Sequence, residues 1–432
     1  MSLASEVKLS LTPNYPKKFA GLITGDKWFE AKREGDGAEG LWRIHDGLYD
    51  VSEFVQSHPG GSSWLEMTKG TDITEAFESH HLSSAPEQML KKFYVRKAVK
   101  HRNSPFTFEE DGFYRTLKRN IQPVLKTIPK NTSRTTDLVT DALVVATFLT
   151  AICACKLSSF AIGVISACIL TFGSIASHNH FHKRDNFRMY YFNLCLMDFR
   201  GWRVSHVLSH HLFTNTIYDL EAVTWEVLAP HFPVKKPFFT KCRSFVTITL
   251  LWVAFYFLAY LFKIISMIQS RKVYISDFIP FTLPLAMYLT CGVDLQVVLK
   301  MWLFIVTVSS FVFAAIGTSA SHHHPDAFHE GDAPRAKKLD FGIHQLDTTY
   351  DRCEVTGNPF LVLTTFGDHA LHHLFPTIDH GALQYLYPVF EKTMKEFGID
   401  NQMKPLSEMF VGLYRQLLRE EPHLLPRGSR NT

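Results

Sequence analysis

Long apolar runs separated by polar stretches predict where this chain meets a membrane. Residues 137–155 and 159–177 are apolar over almost the length that a bilayer requires, and only a short break at 156–158 separates them. This pattern predicts a helical hairpin that enters and leaves the membrane on the same side. Residues 297–318 predict a further span of full length.

The first hundred residues have a different pattern, typical of a separate soluble unit with a core of its own. Two short apolar runs flank Asp46-Gly47, which predicts a pair of strands around a turn. His58 is followed by Pro-Gly-Gly, where the backbone turns sharply and leaves room for a large flat group. A helix predicted further along ends at His80-His81.

Helical spacing also marks the segments outside the membrane runs. Residues 113–128 fit either an amphipathic helix on lipid headgroups or an ordinary surface helix, while 383–397 and 406–420 predict amphipathic helices. The expected divisions are an N-terminal tail at 1–19, a soluble domain at 20–98, a linker or interfacial helix at 99–135, a membrane domain at 136–425 and a disordered tail at 426–432.

Histidines are concentrated beside the apolar runs. Most of the chain's 22 histidines lie there, in three main clusters. Box one is His178 and His182, box two is His206, His210 and His211, and box three is His369, His372 and His373. Imidazole is a common ligand for iron, and histidines four apart lie on one face of a helix. Three such boxes predict a multi-histidine metal centre at a membrane surface.

The three boxes must lie on one face of the membrane if they bind a common centre. Of the three apolar runs between boxes two and three, two must therefore cross. We expect 297–318 and the proline-containing 274–292 to cross. Basic residues bracket 245–265 on both sides, so we expect it to lie in the interface or to re-enter; the alternative is that 245–265 crosses instead.

Charge and cysteine usage place the polar face in the cytosol. Lysines and arginines adjoin the boxes, as on cytoplasmic membrane faces. The net charge of +4 is too small to indicate nucleic-acid binding. The seven cysteines are scattered without metal-site spacing, which favours reduced thiols. The N-terminal segment lacks the apolar core of a signal peptide, so both chain ends are expected in the cytosol.

The N-terminal pattern resembles the cytochrome b5 haem domain over residues 20–98. The strand pair, the His-Pro-Gly-Gly turn, the D-x-T-x-x-F helix and the following histidine carry the resemblance. It implies an α+β fold and a haem b held by two axial histidines, His58 and His81, with His80 as the competing choice for the second. Two histidine ligands saturate the iron, so such a haem carries electrons rather than activating oxygen.

The rest of the chain resembles the membrane fatty acid desaturase family over residues 135–390. The three boxes and the sequences His-His-Leu-Phe-Thr-Asn and His-His-Leu-Phe-Pro carry this resemblance, and the insect cytochrome b5-related branch looks most similar. It implies an all-α membrane domain of about four transmembrane helices under a cytosolic helical cap, with two iron ions bound by histidine. The implied ligands are His178, His182, His206, His210, His211, His369, His372 and His373, together with His322 or His323 just past the last span.

Two positions depart from the family pattern. Asn179 stands in box one where the family usually has Asp, which changes the hydrogen bonding beside a ligand. His369 opens box three where b5-fused front-end desaturases usually have Gln. The second departure argues against front-end regiochemistry.

The resemblance implies an O2-dependent fatty acyl desaturase that receives electrons through its fused haem. A lipid hydroxylase on the same scaffold and a non-catalytic, membrane-anchored b5 electron carrier are the alternatives. The implied partners are a fatty acyl substrate, NADH-cytochrome b5 reductase and the lipid bilayer. The family resemblance also implies residence in the endoplasmic reticulum membrane.

Overall fold

The N-terminal domain is built around a small antiparallel sheet. The structure, a computed structural model, describes residues 24–400 and 403–429, so the expected tail at 1–19 lies outside the described residues. The sheet order is β1 (Trp42–Ile44), β2 (Gly47–Tyr49), β3 (Tyr94–Lys97). Ile44 pairs with Gly47, so the predicted turn consists of the two residues between them. Helices complete the α+β domain: α1 (Gly25–Gly35), α2 (Ser62–Thr68), α3 (Thr74–His80) and α4 (Ala85–Leu90).

Part of this domain's core is shared with the rest of the chain, contrary to the sequence-based expectation of a separate core. Trp28 and Phe29 of α1 are buried in the same apolar cluster as Leu208 and Phe213, which lie in and just after box two. The indole N–H of Trp28 also donates to the carbonyl oxygen of Tyr218 at 2.9 Å. The haem-type domain and the rest of the chain therefore pack over a shared core.

The linker belongs to that shared core. It contains β4 (Phe106–Thr107) and α5 (Phe113–Thr127). The fully buried side chains of α5 are Phe113, Tyr114, Leu117 and Ile121. The interfacial alternative for this helix is therefore wrong, because its apolar face is inside the protein. The Tyr114 hydroxyl lies 3.2 Å from the carbonyl oxygens of both Glu78 and Leu374, so α5 joins α3 to box three.

Two long apolar helices follow as a hairpin, α6 (Thr132–Lys156) and α7 (Phe160–Phe181). The hydroxyls of Thr140 and Thr147 donate to carbonyl oxygens one turn earlier, which satisfies them within an apolar segment. After the hairpin come a 3-10 helix (Phe187–Cys195), α8 (Phe199–Trp202), a π-helix (Arg203–His210), α9 (His211–Phe213) and α10 (Leu220–Trp225).

Four helices are long and apolar enough to cross a membrane: α6, α7, α11 (Phe238–Ser270) and α13 (Leu295–Ala320). The expected number of spans is confirmed, but the assignment of the third is corrected. Residues 274–292 contain a 3-10 helix (Ile275–Phe281) and the short α12 (Thr282–Cys291). A helix such as α12 is about 15 Å long, half the apolar thickness of a bilayer. By length, the helix that contains 245–265 is the candidate span instead, because it runs unbroken for 33 residues.

The remaining elements form a helical cap over the ends of α7 and α13. They are β5 (Leu339–Asp340), α14 (Phe341–Asp347), β6 (Asp351–Arg352), α15 (Pro359–Thr364), α16 (His369–Leu374), α17 (His380–Leu383), α18 (Tyr387–Glu396), β7 (Met403–Lys404) and α19 (Leu406–Leu418). Two parallel strand pairs, β4 with β5 and β6 with β7, hold distant parts of this cap together.

We expected a disordered tail over 426–432, but its first residues are part of the described structure. Arg427 is buried, and its guanidinium donates to the carbonyl oxygens of Asp347 at 2.9 Å and Thr349 at 3.0 Å. The guanidinium also lies over the Tyr350 ring, 3.9 Å from its centre. Residues up to 429 are therefore part of the described structure and close one side of the cap.

Candidate metal centre and haem site

Box one lies at the end of α7. His178 and His182 are one helical turn apart, so their rings lie on the same side of the chain. Their Nε2 atoms are 2.7 Å apart, and both side chains are buried. The imidazole pair of box one therefore lies at the C-terminal end of an apolar helix that is long enough to span a membrane.

Box two lies on the π-helix, which the sequence spacing does not reveal. In a π-helix the backbone bonds join residues five apart, and here the His211 N–H donates to the His206 carbonyl oxygen. The Nε2 atoms of His206 and His211 consequently lie 3.0 Å apart. His210 lies between them in sequence, and its ring joins a different group of histidines.

The three histidines of box three lie on α16 and are also divided between two groups. The Nε2 atom of His372 lies 3.3 Å from that of His178 in box one. His369 and His373 are one turn apart, with their Nε2 atoms separated by 3.2 Å. His322, which follows α13, places its own Nε2 2.9 Å from that of His369.

The predicted histidines therefore converge in two adjacent, buried groups. Site A consists of His178, His182, His206, His211 and His372, and site B consists of His210, His322, His369 and His373. Within each site the candidate ligand atoms lie within 4.8 Å of one another. Each adjacent pair in boxes two and three contributes one histidine to each site. The rings of His211 and His373 stack between the sites, with centroids 4.0 Å apart.

Hydrogen bonds between imidazoles do not account for this arrangement. A neutral Nε2 carries one proton or one lone pair and can form one such bond. The Nε2 atom of His178, however, has the Nε2 atoms of three other histidines within 3.3 Å. Imidazole nitrogens at about 2.1 Å from a metal ion and at right angles to each other are about 3.0 Å apart. The spacing in each site fits ligands around a metal ion.

Two carboxylates orient box two. Glu221 contacts Nδ1 of His206 at 2.9 Å, and Asp219 contacts Nδ1 of His210 at 2.9 Å. Burial opposes a charge on His210, but the two carboxylates outweigh it and raise the pKa of His210 to about 9. Such partners leave Nε2 directed at the site and strengthen it as a ligand, and a bound metal would displace its proton. Our reading of the sequence missed this acidic pair, although it follows box two closely.

Burial keeps most of the other imidazoles neutral, which is the form that binds metals. It lowers the pKa well below the usual value for His211, His322, His369, His372 and His373. Backbone and amide groups orient two rings in site B. Nδ1 of His322 lies 2.9 Å from the Thr348 carbonyl oxygen, and Nδ1 of His373 lies 3.0 Å from Oε1 of Gln345. Gln345 was also missed in the sequence.

The structure separates the two alternatives that follow the last span. His322 belongs to site B, whereas His323 belongs to neither site. The His323 ring instead packs against His231, with centroids 4.1 Å apart. His322 is therefore the candidate ligand from this run.

Asn179 has a specific partner that explains its departure from the family pattern. Its amide donates to Asp379 at 3.1 Å, and its oxygen lies 2.9 Å from Nδ1 of His380. Burial opposes the charge on Asp379, but Lys183 overcomes it and holds the pKa of that carboxyl far below its usual range. The His380 ring packs 4.4 Å from that of His372, so this network supports site A.

We predict that Asn179→Asp destabilises the protein. The substitution places a second carboxylate beside the buried Asp379 and removes a donor, at a cost of about 2 kcal/mol. Thermal unfolding should show a melting temperature several degrees lower. Asn131→Asp is the control, because Asn131 is exposed and its side chain makes no cap hydrogen bond. Equal melting temperatures for the two variants would contradict the proposed role of the Asn179 amide.

The haem-type domain places two histidines opposite each other. The His58 and His81 rings have centroids 6.2 Å apart, and each Nδ1 lies 3.0 Å from a backbone carbonyl oxygen. With about 2.0 Å from iron to nitrogen and about 1.2 Å from nitrogen to ring centre, axial imidazoles have centroids about 6.4 Å apart. The pair therefore fits one haem iron between the rings. His80 packs on Trp64 instead, with centroids 6.1 Å apart.

Comparisons with known proteins agree with this geometry. The family model described as fatty acid desaturase matches residues 153–400, which is more than half of the chain. The chain belongs to the fatty acid desaturase family. A second model, the cytochrome b5-like heme/steroid binding domain, matches residues 28–99 of this desaturase-family chain. The α+β haem domain and the helical membrane domain are thus both confirmed.

The relatives of this desaturase-family chain include proteins named as cytochrome b5-related and proteins named as fatty acid desaturases. A cytochrome b5-related protein of Drosophila melanogaster is 44% identical over 412 residues, covering 94% of each chain. A probable Delta(5) fatty acid desaturase C of Dictyostelium discoideum is 24% identical and covers 91% of this chain and 93% of its own. An acyl-lipid (8-3)-desaturase B of the same organism is 24% identical, with the same coverage. No solved structure matches the chain significantly.

Proposed function

We propose that this protein is a membrane-bound, O2-dependent fatty acyl desaturase with two iron ions, one in site A and one in site B. The observation that carries the proposal is the pair of adjacent, buried groups of five and four histidines. A structural anchor has no need for so many neutral, convergent imidazoles. The membership of the family and the distant relatives named as desaturases support the same reaction class.

The residues of this chain have distinct tasks in that reaction. Desaturation converts CH2–CH2, O2, two electrons and two protons into CH=CH and two molecules of water. Iron held by the two sites would supply the chemistry of oxygen activation and hydrogen abstraction. Glu221 and Asp219 keep His206 and His210 oriented toward the metals. Apolar rings exclude water beside the sites: Phe366 lies 5.1 Å from the His178 ring, and Trp202 lies 4.9 Å from the His206 ring.

The fused haem domain fits the need for electrons. His58 and His81 would hold a haem b, which would supply electrons one at a time, and the fusion of this domain to the same chain would keep the donor beside the metal sites. We propose NADH-cytochrome b5 reductase as the source of those electrons. Residence in the endoplasmic reticulum membrane, with both chain ends in the cytosol, is part of the same proposal.

Lipid profiling in yeast tests the function. Cells expressing the wild-type chain should accumulate unsaturated fatty acids that cells expressing His372→Ala lack, as measured by gas chromatography with mass spectrometry. Hydroxylated products in the wild-type cells would favour a hydroxylase. Identical lipids in both strains, from wild-type protein purified with haem but without other iron, would favour the electron carrier.

Two adjacent histidines give a matched test of site B. His322→Ala removes one of the four imidazoles of the site, whereas His323→Ala removes a ring that lies outside it. Loss of a ligand should weaken metal binding by at least about tenfold. Iron content and product formation should therefore fall in His322→Ala and stay close to wild type in His323→Ala. The reverse order would contradict the assignment of His322.

The topology makes a further prediction, because site A takes histidines from all three boxes and site B from boxes two and three, so all three boxes must lie on one face. Residues near 100, 230, 335 and 425 should all lie on the cytosolic side. Glycosylation acceptors engineered at these positions should remain unmodified in microsomes, whereas an acceptor in the loop after α6, near 158, should be accessible if its spacing from the membrane is extended. Glycosylation at any of the first four positions would contradict the proposed orientation.

A further inference from the structure

The haem-type domain touches the metal-binding domain beside the metal sites. The loop that follows His58 approaches the segment between boxes one and two so closely that a Cβ on Gly61 would lie 2.6 Å from Oδ2 of Asp185. Gly61 has a φ of +112°, which only glycine adopts easily, and this conformation allows the approach. Asp185 lies three residues after His182 of site A.

Arg203 stands at the centre of this contact. It is only 3% exposed, and it opens the π-helix that carries box two. On its own domain it donates from Nε to the Phe181 carbonyl oxygen at 3.2 Å and pairs with Asp185 at 2.7 Å. The Arg203 side chain is thereby held between the end of box one and the start of box two.

The same guanidinium reaches the haem-type domain. Its carbon lies 4.5 Å from the centre of the Trp64 ring, and Nη1 donates to Ser63 Oγ at 3.3 Å. Both residues belong to α2, the helix that directly follows the His58 loop. A buried, planar cation stacked on an indole fixes both distance and orientation, which a lysine would not do equally well.

The contact lies between the haem ligands and site A. Trp64 packs against His80, the neighbour of the axial His81. On the other side, the Phe181 whose carbonyl binds Arg203 stacks on His182, with ring centroids 5.6 Å apart and planes at 21°.

We infer that Arg203 is a positioning residue that clamps the haem domain onto the metal-binding domain through Trp64. The inference rests on the proposed function. In the clamped arrangement the residues around Arg203 would hold the haem domain so that a haem between His58 and His81 could supply one electron at a time to iron in the metal sites of the same chain and return to its ferric state. Two such transfers, with O2 as the final oxidant, supply the electrons for one product. The shared core attaches the haem domain through α1, and the Arg203–Trp64 contact adds a second attachment beside site A.

Stopped-flow absorbance of the haem tests the clamp in the full-length, metal-loaded protein. The haem is reduced without oxygen and then mixed with O2 and substrate. His372→Ala gives the background rate of haem reoxidation without an intact metal centre. Arg203→Gln and Trp64→Leu should each slow reoxidation by about tenfold or more, and the double variant should be no slower than either. Trp64→Phe, which keeps an aromatic face, should recover much of the rate.

Arg200→Gln is the matched control. Arg200 is three residues from Arg203 and also stacks on an aromatic ring, but its partners are Tyr274 and Ser276 in the membrane domain. The haem of Arg200→Gln should be reoxidised at the wild-type rate. The haem spectrum and iron content of each variant are measured alongside, so that a slow rate with intact cofactors reports on position. If Arg203→Gln loses iron, its slow rate does not test the clamp. Trp64→Leu then provides the test, because Trp64 lies in the haem-type domain and not in the metal-binding domain.

The outcomes separate the clamp from the proposed function. Wild-type reoxidation no faster than that of His372→Ala would mean that the haem does not feed the metal centre, and the proposed function fails. Fast wild-type reoxidation that persists in Trp64→Leu and Arg203→Gln, with haem and iron retained, would overturn the clamp alone.

Discussion

His210→Ala and His372→Ala should each remove product formation and lower the iron content without altering the haem. His210 belongs to site B and His372 to site A, so each substitution leaves one metal ion with fewer imidazoles. Removal of an outer partner of a ligand costs about 10- to 100-fold in affinity or activity, and removal of the ligand itself should cost at least as much. We therefore expect activity to fall by at least about 100-fold in both variants.

The control for these variants must be a histidine that is neither buried nor near the sites. His329 is unsuitable, because it is buried and its loss would leave a cavity. His101 is exposed, so His101→Ala should retain iron and activity. Full iron content and unchanged product formation in both His210→Ala and His372→Ala would show that the two-metal assignment is wrong.

His58→Ala should abolish the haem spectrum and, with it, product formation driven by NADH. His58 faces His81 at a separation that fits one iron, so its loss removes one of the two axial ligands. The metal domain should remain folded with its iron, because His58 is only half-buried and the shared core is formed by other residues. Absorbance of the purified variant and iron analysis test both parts.

The neighbouring pair His80 and His81 offers the matched comparison for the haem. His81→Ala should lose the b-type spectrum, whereas His80→Ala should keep it, since His80 faces Trp64. A Soret band and reducible spectrum that persist in His58→Ala would show that the haem assignment is wrong. Loss of the haem in His80→Ala with retention in His81→Ala would show that His80, and not His81, is the second axial ligand.

The pairing of histidines within box one could be predicted because its signal is short-range. Histidines four apart on a helix share a face, and this holds for His178 and His182 in the structure. The pair His58 and His81 came instead from the resemblance to the cytochrome b5 domain, which left His80 open, and in the structure it is His81 that faces His58.

The adjacent pairs His210-His211 and His372-His373 suggest ligands for two different irons, but spacing could not show which other histidines join each site. His206 and His211 share site A only because a π-helix joins residues five apart, and ordinary helical spacing would have grouped His206 with His210. The choice between His322 and His323 depends on how the chain leaves α13, which is a tertiary effect. Asp219 and Glu221 become recognisable only once the Nδ1 atoms that they orient are in place.

Two further expectations were wrong because they depended on tertiary structure: the choice of the third span and the interfacial alternative for α5. Basic residues on both sides of 245–265 argued against a span, yet the helix includes Lys241, Arg243 and Lys263 and runs unbroken for 33 residues. The apolar face of α5 resembled that of a lipid-bound helix, because the sequence shows amphipathicity but not the partner. That partner is the shared core that joins the haem domain to the cap.

Metal analysis of the purified full-length protein tests the central claim most directly. Iron is measured by inductively coupled plasma mass spectrometry and haem by its pyridine haemochrome, on the same sample. Two bound metal sites and one haem predict three irons for each haem, falling toward one in a variant that lacks both His210 and His372. One iron for each haem in the wild-type protein, with no other metal bound, would contradict the account.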